Sequence, residues 1–195
     1  PRSTLFPYTT LFRSVPLTVL RARPFHRAHV VEIGTNHPGE IATLARICRP
    51  NIAAITCAAP VHLEGLGSLN GIAEEKGAVL DLLTPESVAV LNMDDPFFSY
   101  WSRRTEAQVV SVSESGNRRA DWFATEVSAG PDRLTFRLNG SFLVETPLRG
   151  RHHVRNALIA LAAATSAGLD VFTAGESLRT APVLKSRQTV HELPG

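Results

Sequence analysis

The apolar residues of this chain change rhythm once. Up to about residue 112 they come in short, nearly unbroken runs: AHVVEI (Ala28–Ile33), NIAAITC (Asn51–Cys57), SVAVL (Ser87–Leu91) and QVVSV (Gln108–Val112). Such runs suit strands buried on both faces of a parallel sheet. Between them lie helical patterns. Gly39–Arg49 is stopped by Pro50, Leu69–Leu83 is opened by Ser68 as an N-cap, and Pro96 can open a short aromatic-rich helix over Phe97–Trp101. Strand, helix, strand, helix at this spacing predicts a doubly wound, mostly parallel α/β sheet with flanking helices. From Asp121 the rhythm becomes one in two, over Asp121–Ser128, Arg133–Leu138 and Ser141–Thr146, with Asn139-Gly140 as a two-residue hairpin turn. This predicts a small antiparallel sheet over about 121–147. An alanine-rich helix follows over Val154–Ala167, closed by Gly168, and then another over Val171–Arg179.

Charge excludes some functions. The net charge is +2 and the arginines are scattered rather than striped, without interleaved aromatic residues. That argues against a nucleic-acid partner. No apolar run approaches the ~20 residues of a membrane-spanning helix. Cys48 and Cys57 read as two buried, reduced thiols of a cytoplasmic protein, with no zinc-like cluster beside them. Residues 1–14, PRSTLFPYTTLFRS, read as a foreign extension in which Pro7 and the Thr pair break any helix. Val15–Leu20 then reads as the tail of a helix.

Of the 20 lysines and arginines, only Lys76 and Lys185 are lysines. A lysine kept in such a background can do what arginine cannot: lose its proton and react as an amine. Equally, Lys76 beside Glu74 and Glu75 has the look of a solvated helix face. In open α/β sheets ligands collect at the carboxyl ends of strands. Glu32 sits at such an end, before Gly34-Thr35-Asn36-His37-Pro38-Gly39, and His62 follows the second strand in a Pro/Gly-rich loop. Glu32 reads as a paired structural acid or a metal ligand, since a bare buried carboxylate is costly. His62 reads as a loop histidine or a ligand. Neither a GxxxxGK[ST] phosphate loop nor a GxGxxG fingerprint occurs. The residues alone reach an α/β domain with a metal or phosphate site at Glu32, His62 and Lys76.

The stretch VVEIGTNHPGEIATLARICRPNIAAITCAAPVHLEGLGSLNGIAEEKG closely resembles the Mur ligases. VPLTVL, VAVLNMDDP, LRGRHHVRNAL and APVLKSRQ follow the family in the same order. The words EIGTNHPGEI and HLEGLGS resemble the branch that adds D-Ala-D-Ala to UDP-N-acetylmuramoyl-tripeptide. The resemblance implies a central ATPase-type domain. It also implies an ATP-dependent ligase of peptidoglycan precursor synthesis that works through an acyl phosphate with two Mg²⁺ ions. Glu32 and His62 would each hold one Mg²⁺. Lys76 would be carbamylated, a metal ligand and catalytic with His62, because CO₂ on an amine makes an anionic oxygen donor. Asn156 would lie near the adenine and Arg187 near the nucleotide phosphates. Cys57, Ala59 and His153 depart from the family's asparagine, glycine and asparagine.

The expected organisation is a non-native extension over 1–14, an incomplete central ATP-binding domain over 15–182, and over 183–195 the start of a linker to a missing C-terminal domain. The family's phosphate loop is expected upstream of Val15, so the chain alone is expected to be inactive. The full-length enzyme is expected to be a cytoplasmic bacterial monomer. The alternatives are another Mur ligase, a folylpolyglutamate-synthase-like ligase, or a non-catalytic α/β binding module.

Overall fold

A computed structural model of the chain describes residues 7–60 and 63–182. The described chain forms two compact units. One takes the residues up to Leu91 with Asp95–Val109; the other takes Asn92–Asp94 and the chain from Val110 on.

The first unit opens with helix α1 (Pro7–Leu20), which packs against α2 (Glu40–Cys48). Helix α1 runs straight through the segment expected to have none. Pro7 occupies its first position, where a missing N–H costs nothing because that donor has no partner inside the helix anyway. Strand β1 (Ile52–Ile55) follows, then the single turn α3 (Leu63–Leu66) inside the expected loop, and α4 (Leu69–Gly77). A 3-10 turn (Leu80–Leu82) leads to β2 (Val88–Asn92) and α5 (Phe98–Ser102). Strands β1 and β2 pair in parallel, from Ile52 opposite Val88 to Ile55 opposite Leu91. Their apolar side chains join Ala73, Leu80, Ala89 and the fully buried Trp101 in one core.

Two further expectations in this unit fail. The helix over Leu69–Leu83 stops at Gly77, where Ala78 N–H bonds back to Glu75 O and Arg104 Nη1 takes the Glu74 carbonyl at 2.8 Å. With that carbonyl committed sideways, the α-helical ladder does not continue. The strand expected over Ala28–Ile33 does not form: residues 28–33 are irregular backbone and Val30 is 93% exposed. A strand exists only through its ladder, and an apolar run without a hydrogen-bonding neighbour cannot make one.

Strand β3 (Gln108–Ser113) leads into the second unit. There β4 (Trp122–Ala129) pairs in parallel with β3, Val112 opposite Trp122, and then antiparallel with β5 (Leu134–Leu138), which pairs with β6 (Phe142–Thr146). In sheet order the six strands follow the chain, β1 to β6, making a mixed sheet with flanking helices. The expected hairpin is present: Asn139 and Gly140 have φ of 50° and 75°, the two positive values a tight turn between twisted strands requires. Leu134, Phe136, Leu138 and Val144 are buried. Helix α6 (His153–Ser166) packs on β4 and β5, and α7 (Val171–Arg179) packs on β6. Helix α6 closes as expected: Gly168 (φ 92°) donates to Thr165 O and Leu169 to Ala164 O.

Candidate functional site

The site is assembled within the first unit from the loop between residues 34 and 41, the chain after β1, and α4. Residues Ala73 to Gly77 of α4 are each engaged by a neighbouring element. The Trp101 indole N–H donates to Ala73 O at 2.9 Å, and Arg104 takes Glu74 O while clamping Asp81 at 2.7 Å through both Nε and Nη2. Glu75, only 6% exposed, accepts from Gly39 N–H (2.7 Å), Ile41 N–H (2.8 Å) and the Thr35 hydroxyl (3.3 Å). Lys76 is half-buried, and its Nζ donates to Cys57 O, just beyond β1, at 2.8 Å. Gly77 is where Arg104 and Trp101 close in; a Cβ there would lie 2.8 Å from Arg104 Nη1.

The loop before α2 is wrapped around a second buried acid. Glu40, 5% exposed, accepts from Asn36 N–H (2.7 Å), His37 N–H (3.1 Å) and the Thr35 hydroxyl (3.2 Å), and pairs with His37 Nδ1 at 3.1 Å. Burial pushes the Glu40 carboxyl up, but those donors outweigh it and hold it below its ordinary value. The turn of chain after His62 meets this loop at Gly65, whose absent Cβ would overlap the Asn36 carbonyl oxygen. The two sequence words that carry the resemblance therefore touch, backbone to backbone. The chain after β1 is tethered too: Asp95 accepts from Ala58 N–H and Phe97 N–H, both at 2.9 Å.

The candidate residues fare differently. Lys76, on α4, reaches the chain just beyond the carboxyl end of β1, where its Nζ donates to Cys57 O. It makes no ion pair among the described residues, so it is not the solvated Glu–Lys face its neighbours suggested. Glu32 is exposed on the irregular 28–35 segment and has no ion-pair partner there among the described residues. It is not the buried strand-end acid expected, because the strand that would have buried it does not form. His62 and Arg187 lie outside the described residues. Among the described residues no three His, Cys, Asp or Glu side chains converge on a metal position. Cys48 and Cys57 are free thiols but half-buried rather than buried, and burial pushes the Cys48 thiol up.

Asn156 belongs to the second unit, on the first turns of α6, with its amide 3.4 Å from His153 Nδ1. The His153 imidazole is held below its ordinary value, by burial first and then by the adjacent His152 ring, 4.1 Å away between centroids. A neutral ring can accept the amide hydrogen of Asn156.

Local sequence does not mark Glu40 or Glu75 as buried parts of the site around the 34–41 loop. Nothing local marks Glu75, whose two backbone donors lie 36 and 34 positions away. The one hint was Gly39, a helix start without a side chain to cap it.

These features are a mixed α/β sheet with a half-buried lysine amine bonded to the backbone just beyond a strand end. Residues 13–164 match the Mur ligase middle domain, and the chain belongs to that family. Among curated relatives, it is 36% identical over 166 residues to UDP-N-acetylmuramoyl-tripeptide–D-alanyl-D-alanine ligase of Escherichia coli K12, covering 83% of this chain and 37% of that protein. It is 32% identical to the Haemophilus influenzae ligase of the same name, covering 89% of this chain and 38% of that one. A crystal structure of MurF from Acinetobacter baumannii superposes with a TM-score of 0.84 at 30% identity, covering 92% of this chain and 40% of that chain. The chain thus spans about two fifths of the length of these relatives.

Proposed function

We propose that this chain, over residues 15–182, is the central ATP-handling domain of a ligase that joins D-Ala-D-Ala to UDP-N-acetylmuramoyl-tripeptide. The observation that carries this reading is Lys76: a half-buried amine on Cys57 O at the carboxyl end of β1, without a carboxylate partner among the described residues. The likeness to ligases of that name over most of the chain supports the substrate assignment.

In the proposed reaction, ATP phosphorylates the terminal carboxylate of the tripeptide. The amine of D-Ala-D-Ala attacks the resulting acyl phosphate and phosphate leaves. Two Mg²⁺ ions, when bound, would neutralise phosphate charge and the developing oxyanion. Glu32, His62 and Lys76 would hold them. The donor chemistry fits. Glu32 is an exposed carboxylate with no ion-pair partner among the described residues, and Lys76 becomes an oxygen donor when its neutral amine adds to CO₂, forming an N–C bond and releasing a proton. Asn156 would contact the adenine and Arg187 the phosphates. Such a protein acts in the cytoplasm, on nucleotide-linked substrates, and as a monomer. No helix among the described residues is long and apolar enough to cross a membrane.

The test is to supply the full-length protein with ATP, Mg²⁺, the UDP-linked tripeptide and a choice of amines. Ligation of D-Ala-D-Ala supports the reading. Preference for a single amino acid or a glutamyl chain moves the protein to another branch. ATP binding without ligation of any amine makes it a binding module.

A further inference from the structure

We propose that Glu75 is the positioning residue for Lys76. It fastens α4 to the N-terminus of α2 and so sets the separation between the lysine and the loop that follows Glu32. This rests on the reading of Lys76 given under Proposed function.

Helix α2 starts at Gly39 (φ 86°), which has no side chain with which to cap the first free N–H groups. A carboxylate from another helix caps them instead: Glu75 Oε2 takes Gly39 N–H and Oε1 takes Ile41 N–H. Negative charge suits a helix N-terminus, and charge-assisted bonds are roughly twice as strong as neutral ones. Glu75 has no ion-pair partner among the described residues, so these backbone donors and the Thr35 hydroxyl are what hold it there. That hydroxyl is shared. It lies within reach of Glu75, Glu40 and His37 O, yet has one proton to donate. Two buried acids beside one hydroxyl repel each other, and the four N–H groups of Asn36, His37, Gly39 and Ile41 offset that repulsion.

A helix cap alone needs no acid from a distant helix; a serine or aspartate at the helix start would serve. The arrangement makes sense through the next residue. Successive residues of a helix point about 100° apart. Glu75 therefore faces α2 while Lys76 faces the end of β1. On its other flank α4 is held through Ala73 O and Glu74 O by Trp101 and Arg104. Without Glu75, α4 stays attached on that flank and loses its register against the 34–41 loop. A displacement of the order of 1 Å at a reacting group can cost about a hundredfold in rate.

The experiment compares the full-length protein with Glu75→Gln, which keeps the shape but sets an amide N–H against the α2 donors. Three readouts are taken: kcat, the KM for D-Ala-D-Ala, and the carbamate resonance of Lys76 in ¹³C-bicarbonate, identified by its loss in Lys76→Ala. Phe136→Leu, in the core of the antiparallel sheet, is the control for lowered stability alone. The expected result is kcat reduced about tenfold or more, KM nearly unchanged and the carbamate signal weakened, while Phe136→Leu lowers Tm but none of these. If Glu75→Gln does not fold, Glu75→Asp keeps the charge one methylene shorter, and an intermediate loss of kcat and signal is expected. Wild-type kcat and carbamate in the folded Glu75 variant overturn the proposal alone. A wild type without the carbamate resonance, together with an active Lys76→Ala, overturns the reading of Lys76 and the proposal with it.

Discussion

At the scale of single residues, the proposed chemistry turns on what an amine can do that a guanidinium cannot. Lys76→Ala in the full-length protein is expected to abolish most ligation, with partial rescue by added short carboxylates that replace the lost oxygen donor. Lys76→Arg is expected to fare no better than alanine, because arginine restores the charge but cannot add CO₂. Steady-state ligation rates with and without added acetate check both. An arginine variant with wild-type rates would leave only a charge role. Lys76 stands out in the sequence by its rarity. Glu75, next to it, does not: its carboxylate is buried against N–H groups 34 and 36 positions back, and no window of local sequence contains both partners.

At the scale of elements, glycine and serine decide how α4 and its neighbours meet. Gly65→Ala places a methyl group on the Asn36 carbonyl oxygen. A backbone carbonyl cannot swing aside as a side-chain tip does, so the expected cost is about 1–3 kcal/mol. Ligation is expected to fall further than stability, since the 34–41 loop must shift; urea unfolding beside kinetics separates the two. Ser68→Ala removes the cap that accepts Gly71 N–H at 3.1 Å and is expected to cost about 1 kcal/mol, read as a lowered unfolding midpoint without a change in slope. This cap, the Asn139-Gly140 turn and Gly168 could all be read in advance, because each depends on residues within one turn of chain. The end of α4 could not, because Arg104 and Trp101, some thirty positions on, decide it.

At the scale of the whole molecule, two shifted groups predict how stability responds to acid. His153 is held below its ordinary value, so the unfolded chain takes up its proton first. Its contribution is complete above the ordinary histidine value of about 6.5 and is lost at lower pH, as the folded-state value is passed. His153→Asn is expected to flatten this part of a Tm-against-pH curve; an unchanged curve would show that the ring pair plays no part. Glu40 is likewise depressed, so its contribution is complete above the ordinary carboxylate range and is lost only at lower pH, as its folded-state value is passed. A second step on the acid side is expected, absent in Glu40→Gln. Sequence by itself determined most of the alternation of elements, the hairpin, the Ser68 start of α4, the Gly168 close of α6 and the family, since periodicity, turn chemistry and capping act within a few residues. Only the tertiary structure decided that residues 28–33 form no strand, that Glu32 stands exposed, and that Glu75 caps a helix other than its own. A ladder or a cap requires a partner, and nothing local names a partner that lies tens of residues away.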